Sequence, residues 1–570
     1  MSESSTQWRW FQHALIVVTM LATALCFAVG CPAPSTPNSS ENPAAEKDNG
    51  QTAKSASADE PSASGEQNSE GSKDEASHSG EDESAEKAVV VDPVPIDPEA
   101  EKKASEEPEE LFKDWPEPAY VLFLTGRQHG YIEPCGCTGL ENQKGGLARR
   151  DTLLHQLRSK KWNVVPIDVG NQVRRFGRQP EIKFQLTVNS LQRMKYQAVG
   201  LGPDDLKLPA GELIALIAGD SNQATPFVAA NVVVLDRSLL PEFQVIQVGD
   251  QKIGVTAVLA DAQHKLLNNG DLILEPMVAS LTRVWPKLAA AKCDFHLLLC
   301  YGSLQVSRQL ARQFPQFQVV VTAGGSGPPT FEPEVVEPAR NLLIQVGPKG
   351  MYAGALGIFS DPQNPLRYQR ISLSSRFKDS TEMLDQLKSY QSELQRTGLT
   401  GLGLRPIAHA SNRNFTGSQV CGDCHTKAYE IWKKTPHARA TDSLIKPPER
   451  QDIARHFDPE CLSCHVTGWN PQKYFPYQTG YWSLEKTFNM KGNGCENCHG
   501  PGSHHVAAES GDSGVDDQQR AVLRKRMQLT LADARQNKCM ECHDLDNSPD
   551  FHDPGAFETY WKEVEHRGKD

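Results

Sequence analysis

The chain has 570 residues, enough for two or three domains, and carries 59 Lys and Arg against 71 Asp and Glu, a formal net charge of −12. This acidic balance excludes a general nucleic-acid binder, which needs a basic surface. Much of the acidity lies in a polar segment near the N-terminus, so it says little about the folded parts.

The N-terminus has the pattern of an export signal. Arg9 precedes an apolar run over residues 14–29, and small residues then lead to Cys31. The run is short for a spanning helix and fits a secretory signal better. Residues 27–31 (FAVGC) resemble a bacterial lipobox, with Ala28 where Leu is more usual. The resemblance implies that Cys31 becomes the lipidated first residue of the mature protein. Ordinary signal cleavage, in which Cys31 has no role, stays open.

Residues 32–116 are predicted to be a disordered acidic linker. Ser, Glu, Asp, Ala, Pro and Gly dominate from Pro32 to Pro108, and no aromatic residue occurs there. Such a segment buries too little apolar surface to offset the entropy of ordering it. We expect it to tether the folded domains to the signal region, residues 1–31, in an exported protein. The expected location is the periplasm or the outer face of a membrane, reached through the lipid anchor.

Residues 117–375 alternate strand-like and helix-like segments. The predicted strands are 120–124, 164–168, 227–234, 253–259, 295–300, 319–322 and 342–346. The predicted helices are 146–158, 181–194, 277–291 and 305–314. Strands that alternate with helices predict a layered α/β domain.

The last part of the chain changes character. An amphipathic helix is predicted over residues 381–398, within a connecting segment 376–406 that contains the glycine-rich stretch 397–404. From residue 407 to residue 570 the strand signals disappear, and Cys and His become frequent. We predict a mainly α domain of short helices there.

This last domain contains four CxxCH motifs. Two residues separate the thiols in each motif, and a His follows the second Cys directly. The spacing suits four covalent haem c groups, because two thiols add to the vinyl groups of one porphyrin and the adjacent His binds its iron. The eight cysteines are Cys421, Cys424, Cys461, Cys464, Cys495, Cys498, Cys539 and Cys542. The four proximal histidines are His425, His465, His499 and His543. Zinc-binding CxxC pairs are the alternative, but they leave the His after every pair unexplained.

Each iron has a second axial position. A second His there gives an electron-transferring haem, whereas an empty position binds small ligands. The distal candidates beyond the proximal four are His437, His456, His504, His505, His552 and His566. These candidates outnumber the four axial positions, so some of these histidines have ordinary surface roles.

Three segments resemble the tetrahaem cytochrome c-554 family. They are 420–440 (VCGDCHTKAYEIWKKTPHARA), 494–506 (GCENCHGPGSHHV, with the characteristic CHGPG) and the tail 538–566. The resemblance implies a haem-packed domain with distal ligands at matching positions.

The implied distal ligands are assigned residue by residue. His437 is implied for the fourth haem, and His505 or its neighbour His504 for the first. His566 is implied for the third haem, with His552 as the reserve. The family's second haem is five-coordinate, which makes the iron on His465 the open one. His456, just before the second motif, is the residue that could fill that position.

Several haems in so small a domain form a path for electrons. The leading expectation is therefore electron transfer between redox partner proteins at the outer face of a membrane, with no nucleic acid as a partner. An oxidoreductase acting on hydroxylamine, nitric oxide or nitrite at the His465 haem is the alternative. A metal-dependent phosphohydrolase is a third, disfavoured hypothesis.

The α/β region resembles the calcineurin-like 5′-nucleotidase (metallophosphoesterase) family. The resemblance rests on 124–150 (LTGRQHGYIEPCGCTGLENQKGGLARR), GNQ at 170–172, LGPD at 201–204, AANVV at 229–233 and AGGSG at 323–327. It implies an α/β sandwich fold and, in the family, two metals held by Asp, His and Asn.

This chain departs from the family at nearly every metal ligand. Arg127, Gln128 and His129 replace Asp-x-His, so only the His remains. Where the family has Gly-Asp, this chain has Gly-Asn at residues 170–171. Where the family has Gly-Asn-His-Glu, this chain has GPDD at residues 202–205. Further along the chain, Tyr301 stands where the family has a lone His. The sequence GGSG at residues 324–327 stands where the family has Gly-His-x-His. A dinuclear site needs several carboxylate or imidazole ligands, so we predict that the fold is kept and the hydrolytic centre is lost.

One feature is added near that position. Cys135 and Cys137 flank a glycine, and such close cysteines rarely bond to each other because the geometry is strained. They could pair with Cys293 and Cys300, bind a soft metal together with His129, or act as a redox dithiol. Cys293 and Cys300 could equally be free core thiols.

Overall fold

The structure is a computed structural model that describes residues 110–134, 136, 143–219, 224–448, 450–512 and 514–568. Cys31, the signal peptide and nearly all of the predicted linker lie outside these residues, as do Cys135 and Cys137. Within the described ranges, no helix combines the length and the apolar composition that a bilayer crossing requires.

Two β-sheets form the centre of the α/β region. Its strands are β1 Tyr120–Thr125, β2 Val164–Asp168, β3 Ala198–Val199, β4 Val232–Val234, β5 Phe243–Val248, β6 Gln251–Leu259, β7 Leu272–Leu274, β8 Phe295–Tyr301, β9 Val319–Thr322, β10 Glu334–Val336, β11 Asn341–Gln345, β12 Tyr352–Ile358 and β13 Leu366–Ser372. The first sheet has the order β13-β12-β1-β2-β3, and the second has the order β10-β11-β9-β8-β6-β5. Strands β4 and β7 form a separate antiparallel pair.

The alternation of side chains along β1 explains the layers. Leu122 packs with residues of the second sheet such as Val255 and Leu297, which are all fully buried. Val121 and Phe123 point the other way, into a core shared with the helices. A strand buried on both faces needs cover on both, which is the usual situation of parallel pairs such as β1 and β2. The predicted α/β layering is therefore confirmed.

The helices of this region flank the sheets. They are α1 Leu147–Ser159, α2 Arg178–Arg193, α3 Ala210–Ile217, α4 Asp261–His264, α5 Met277–Ala290, α6 Leu304–Gln313 and α7 Thr381–Gly401. The helix predicted over 381–398 continues to Gly401 after a kink. Gly398, with a φ of 62°, interrupts the helical conformation and divides α7 into two segments. A residue without a Cβ takes this conformation at little cost.

Two sequence expectations were wrong in detail. The strand predicted over 227–234 is a strand only in its last three residues, while Phe227 makes an isolated bridge to Val199. Strands β12 and β13 were not predicted, since glycines interrupt the first and polar residues fill the second. Their antiparallel pairing completes one edge of the first sheet.

The C-terminal region is mainly helical. Its helices are α8 Ser418–Gly422, α9 Thr426–Trp432, α10 Ala440–Ile445, α11 Pro459–His465, α12 Cys495–His499, α13 Ser503–Ser510, α14 Asp517–Arg526, α15 Leu531–Asp533 and α16 Ala556–Val564. Two short strands that the sequence did not predict, β14 Trp469–Asn470 and β15 Phe475–Pro476, pair in this region. Its apolar clusters are small, around residues such as Trp469 and Phe551, which is typical of a domain whose interior holds porphyrins.

Candidate functional site

Each CxxCH motif lies on a short helical turn. In the first and fourth motifs the backbone N–H of the His donates to the carbonyl of the first Cys, from His425 to Cys421 at 2.9 Å and from His543 to Cys539 at 2.8 Å. Helix α11 carries the whole second motif, and α12 carries the third. A helical turn brings residues three apart to the same side, so each turn presents two thiols and an imidazole together.

The proximal imidazoles are oriented by hydrogen bonds from their Nδ1 atoms. His465 donates to the carbonyl of Ala440 at 2.8 Å, and His499 donates to the carbonyl of Met527 at 2.7 Å. Nδ1 of His543 lies 3.0 Å from the Ser548 hydroxyl. A proton held on Nδ1 leaves Nε2 as the free lone pair, which is the usual arrangement of a metal-bound His.

Three pairs of histidine rings face one another. The ring centroids are 6.2 Å apart for His425 and His505, and 5.7 Å apart for His499 and His566. The third pair, His437 and His543, has its centroids 6.1 Å apart. Two metal–nitrogen bonds of about 2 Å plus the depth of each ring separate the centroids by roughly 6 Å. The spacing therefore fits an iron between the rings of each pair.

The remaining histidines have other surroundings. His504 is exposed, so of the doubled histidines only His505 faces a proximal ring. His552 is exposed and its Nε2 donates to the carbonyl of His543 at 2.8 Å. His456 packs its ring on Phe457. Among the ring contacts of the described residues, none pairs His465 with another histidine.

The motifs touch one another through their thiols. Cys421 lies within hydrogen-bonding reach of Cys495, and Cys464 within reach of Cys542. Cys498 and Cys539 are close enough to interact electrostatically. The thiols of the first and third motifs therefore lie close together, as do those of the second and fourth. The residues present fit several haem groups held side by side.

The second motif packs directly against the α/β domain. The carboxylate of Glu460 accepts from Nζ of Lys183 at 2.5 Å and from Arg175 at 3.1 Å. The neighbouring carboxylate of Asp458 accepts from Gln179 at 2.7 Å and from the Tyr390 hydroxyl at 3.2 Å.

Further ion pairs join the same surfaces. Glu133 of the α/β domain accepts from Arg455 in a bidentate contact, at 2.5 and 2.8 Å. Lys349 contacts the carboxylate of Asp546, three residues after the fourth motif, and Arg174 lies 3.4 Å from it. Burial raises the pKa of the Glu133 carboxyl, but the guanidinium of Arg455 outweighs it, so the net shift is downward.

Most side chains at the position of the family's metal centre are not the metal ligands of that family. The guanidinium of Arg127 donates to the carbonyl of Gly325 at 3.0 Å. Burial, reinforced by the charge of Arg127, lowers the pKa of His129 to about 4. The side chains of Asn171 and Asp204 bond to each other at 3.0 Å.

Asp205, the last residue of the GPDD stretch, has a structural role in the same region. Its buried carboxylate accepts from the backbone N–H of Asn171 at 2.8 Å and of Gln172 at 2.7 Å. Burial raises its pKa to about 7. Within the described ranges, only Asp151, His155 and Glu382 form a cluster of three potential metal ligands, and two of them are exposed. The residues at the former centre thus do not fit a dinuclear metal site.

The other cysteines of the α/β domain are free. Cys300 is fully buried among apolar side chains of the second sheet, and burial raises its pKa to about 11. Cys293 is partly buried and also free. A pairing of either thiol with Cys135 or Cys137 stays a prediction. The alternatives for Cys135 and Cys137 concern residues outside the described ranges.

Sequence reasoning missed the residues that join the two domains. Asp458 caps α11, and its side chain accepts from the N–H of Glu460 at 3.0 Å. The order Asp-Pro-Glu before an apolar helix is a recognisable N-terminal signal. Nothing in the sequence indicated that Lys183 and Arg175, more than 270 positions earlier, would meet these carboxylates.

The C-terminal region thus combines CxxCH turns with three pairs of facing imidazoles, an arrangement that fits covalent haem, and it adjoins an α/β domain whose residues do not fit a dinuclear metal site. Residues 420–500 match the model of the family described as "Cytochrome c554 and c-prime". Cytochrome c-554 of Nitrosomonas europaea is 31% identical over 149 residues, which are 24% of this chain and 59% of that protein.

Relatives of the α/β region come from a different class of protein. An apyrase of Aedes albopictus is 21% identical over 299 residues, 47% of this chain and 53% of the apyrase. The solved 5′-nucleotidase precursor from Thermus thermophilus is 18% identical, with a TM-score of 0.42 over 57% of this chain and 66% of that one. The chain thus spans between half and two thirds of the length of these relatives. The comparisons agree with both resemblances drawn from the motifs.

Proposed function

We propose that this protein is an exported electron-transfer protein with four covalent haem c groups. The observation that carries the proposal is the set of three facing histidine pairs, with ring centroids 5.7 to 6.2 Å apart. When bound, each haem supplies an iron that takes up and returns one electron. His505, His566 and His437 would be the distal ligands of the first, third and fourth haems.

The proximity of the motifs supports a role in conduction. Cys421 lies close to Cys495 and Cys464 lies close to Cys542, and Cys498 of the third motif interacts electrostatically with Cys539 of the fourth. Donor and acceptor would be other redox proteins. A lipid on Cys31 would hold the protein at a membrane, with residues 32–116 as the tether.

The test is a haem count and a spectrum of the purified full chain. The intact mass should exceed that of the processed polypeptide by four haems. The ferric EPR spectrum should show three low-spin haems, and a His437→Met, His505→Met or His566→Met variant should each change one of them. Fewer than four covalent haems in the wild-type chain would refute the proposal.

A second candidate function follows from the surroundings of His465. No other histidine ring faces it among the ring contacts of the described residues, so its iron would have an open position. Such an iron could bind nitric oxide, hydroxylamine or nitrite and exchange electrons with it. A high-spin ferric signal that nitric oxide abolishes would favour this function, and a spectrum unchanged by nitric oxide would refute it.

A further inference from the structure

Helix α11, which carries the second motif, is held at its N-terminus by the α/β domain. Glu460 lies in the first turn of this helix and directly precedes Cys461. The Lys183 ammonium and the Arg175 guanidinium both contact its carboxylate, at 2.5 and 3.1 Å. The Lys183 side chain is only 9% exposed and that of Glu460 is 32% exposed, so solvent screens this pair in part.

Both partners of this pair are charged. Burial alone would lower the pKa of Lys183, but the carboxylate of Glu460 raises it above its ordinary value. Burial alone would raise the pKa of Glu460, yet Lys183 and Arg175 lower it. The α/β domain therefore contributes two cations beside this motif.

The remaining charges around the second motif come from both domains. Asp458 adds a buried carboxylate one residue before the helix and accepts from Gln179 and Tyr390 of the α/β domain. Arg450 exerts a positive potential on His465. The charge of Arg455 is met by Glu133 at 2.5 Å. Among these groups, Lys183 is the buried cation whose removal leaves Glu460 opposed by the partly exposed Arg175 alone.

Building on the proposed function, we propose that the α/β domain sets the reduction potential of the iron held by His465, with Lys183 as the positioning and charge-compensating residue. Adding an electron to an iron is easier beside a cation and harder beside an uncompensated carboxylate, and burial strengthens both effects. Lys183 and Arg175 of the α/β domain thus act on the potential through the charge beside α11.

The experiment is a redox titration of the full-length holoprotein, followed by optical and EPR spectra. The component that belongs to His465 is identified as the one altered in a His465→Met variant, whatever its spin state. Lys183→Met should lower the midpoint potential of that component, changing its oxidised-to-reduced ratio about tenfold, which is about 59 mV for one electron. Glu460→Gln should shift the same component in the opposite direction.

Three control variants separate the effect of the Lys183 charge on the potential from the effect of loosened packing. Lys183→Arg keeps the charge and should restore most of the wild-type potential. Arg193→Met removes an exposed cation at the far end of the same helix α2, which pairs with Glu382 at 3.0 Å, and should change nothing. The double variant Lys183→Met/Glu460→Gln should return close to the wild-type potential.

Two results would overturn the inference. One is an unchanged His465 component in Lys183→Met, and the other is a shift of the same sign in Lys183→Met and Glu460→Gln, which would indicate better solvent access to the haem. Neither result affects the proposed function, because both are measured on a protein that contains its full set of haems. A wild-type chain lacking those haems would instead contradict the proposed function itself.

Discussion

The imidazole rings of His437 and His543 face each other with 6.1 Å between their centroids, although more than a hundred residues separate them in the chain. His437 lies in a 3₁₀ turn that begins at Pro436, and His543 ends the fourth motif. We expect His437→Ala to convert one low-spin haem to high-spin while the haem count stays the same. EPR at low temperature measures the change. His552→Ala is the matched control, since His552 is exposed and donates to the carbonyl of His543, and an equal effect of both variants would contradict the assignment.

The doubled histidines of α13 provide a second comparison. His505 faces His425, and its buried Nδ1 has no hydrogen-bond partner among the described residues, with the Glu509 carboxylate 3.8 Å away. His504 is exposed and borders a surface cavity of about 460 Å³. His505→Ala should remove one low-spin signal, whereas His504→Ala should leave the spectrum unchanged. The reverse result would transfer the ligand role to His504.

Asp458 should contribute to stability through its cap and its contacts with the other domain. Asp458→Ala removes an N-cap and the carboxylate that accepts from Gln179 and from the buried Tyr390 hydroxyl, so we expect a loss of roughly 2–4 kcal/mol in the free energy of unfolding. Denaturant titration of the holoprotein measures it. Asp516→Ala removes the cap of the exposed helix α14 and should cost only about 1 kcal/mol. Equal losses would mean that the interdomain contacts add nothing.

The pair of Glu133 and Arg455 should make stability depend on pH. The pKa of Glu133 is lowered in the folded chain from its ordinary value of 4.5, so the folded state binds fewer protons there than the unfolded state. The stabilisation is then present above pH 4.5 and is lost as the pH falls through the lowered folded-state pKa. Relative to Glu133→Gln, the wild type should be more stable by roughly 2 kcal/mol at about pH 7, and this difference should vanish in strong acid. A difference that is independent of pH would contradict the assignment.

The α/β domain should not hydrolyse nucleotides. Arg127 stands where the related family has a metal ligand, and Asp205 is engaged by backbone N–H groups. We expect the full chain, supplied with Mn²⁺ and a nucleotide, to release no phosphate above the background. Treatment with a chelator should likewise leave its thermal unfolding unchanged. Turnover that is lost in a His129→Ala variant would contradict this prediction.

The local pattern of apolar residues predicted many of the strands and helices. The strands predicted at 164–168 and 319–322 have the observed bounds, because apolar runs of that length between turns have few alternatives. Strands β12 and β13 escaped prediction because their partners, rather than their own composition, make them strands. The same limit applied to β14 and β15.

The sequence by itself predicted the motif chemistry, since the spacing of Cys421, Cys424 and His425 suits one porphyrin independently of the fold, and three further motifs repeat that spacing. The resemblance to a known family also implied His505 and His566 as distal ligands, but only the tertiary structure placed their rings opposite the proximal ones, because no local pattern encodes the chain folding that brings them together. It also decided that Lys183 meets Glu460. An ion pair between distant segments depends on how two surfaces pack. In the sequence these charged residues resemble ordinary solvated ones, and they become partners only when the packing removes them from water.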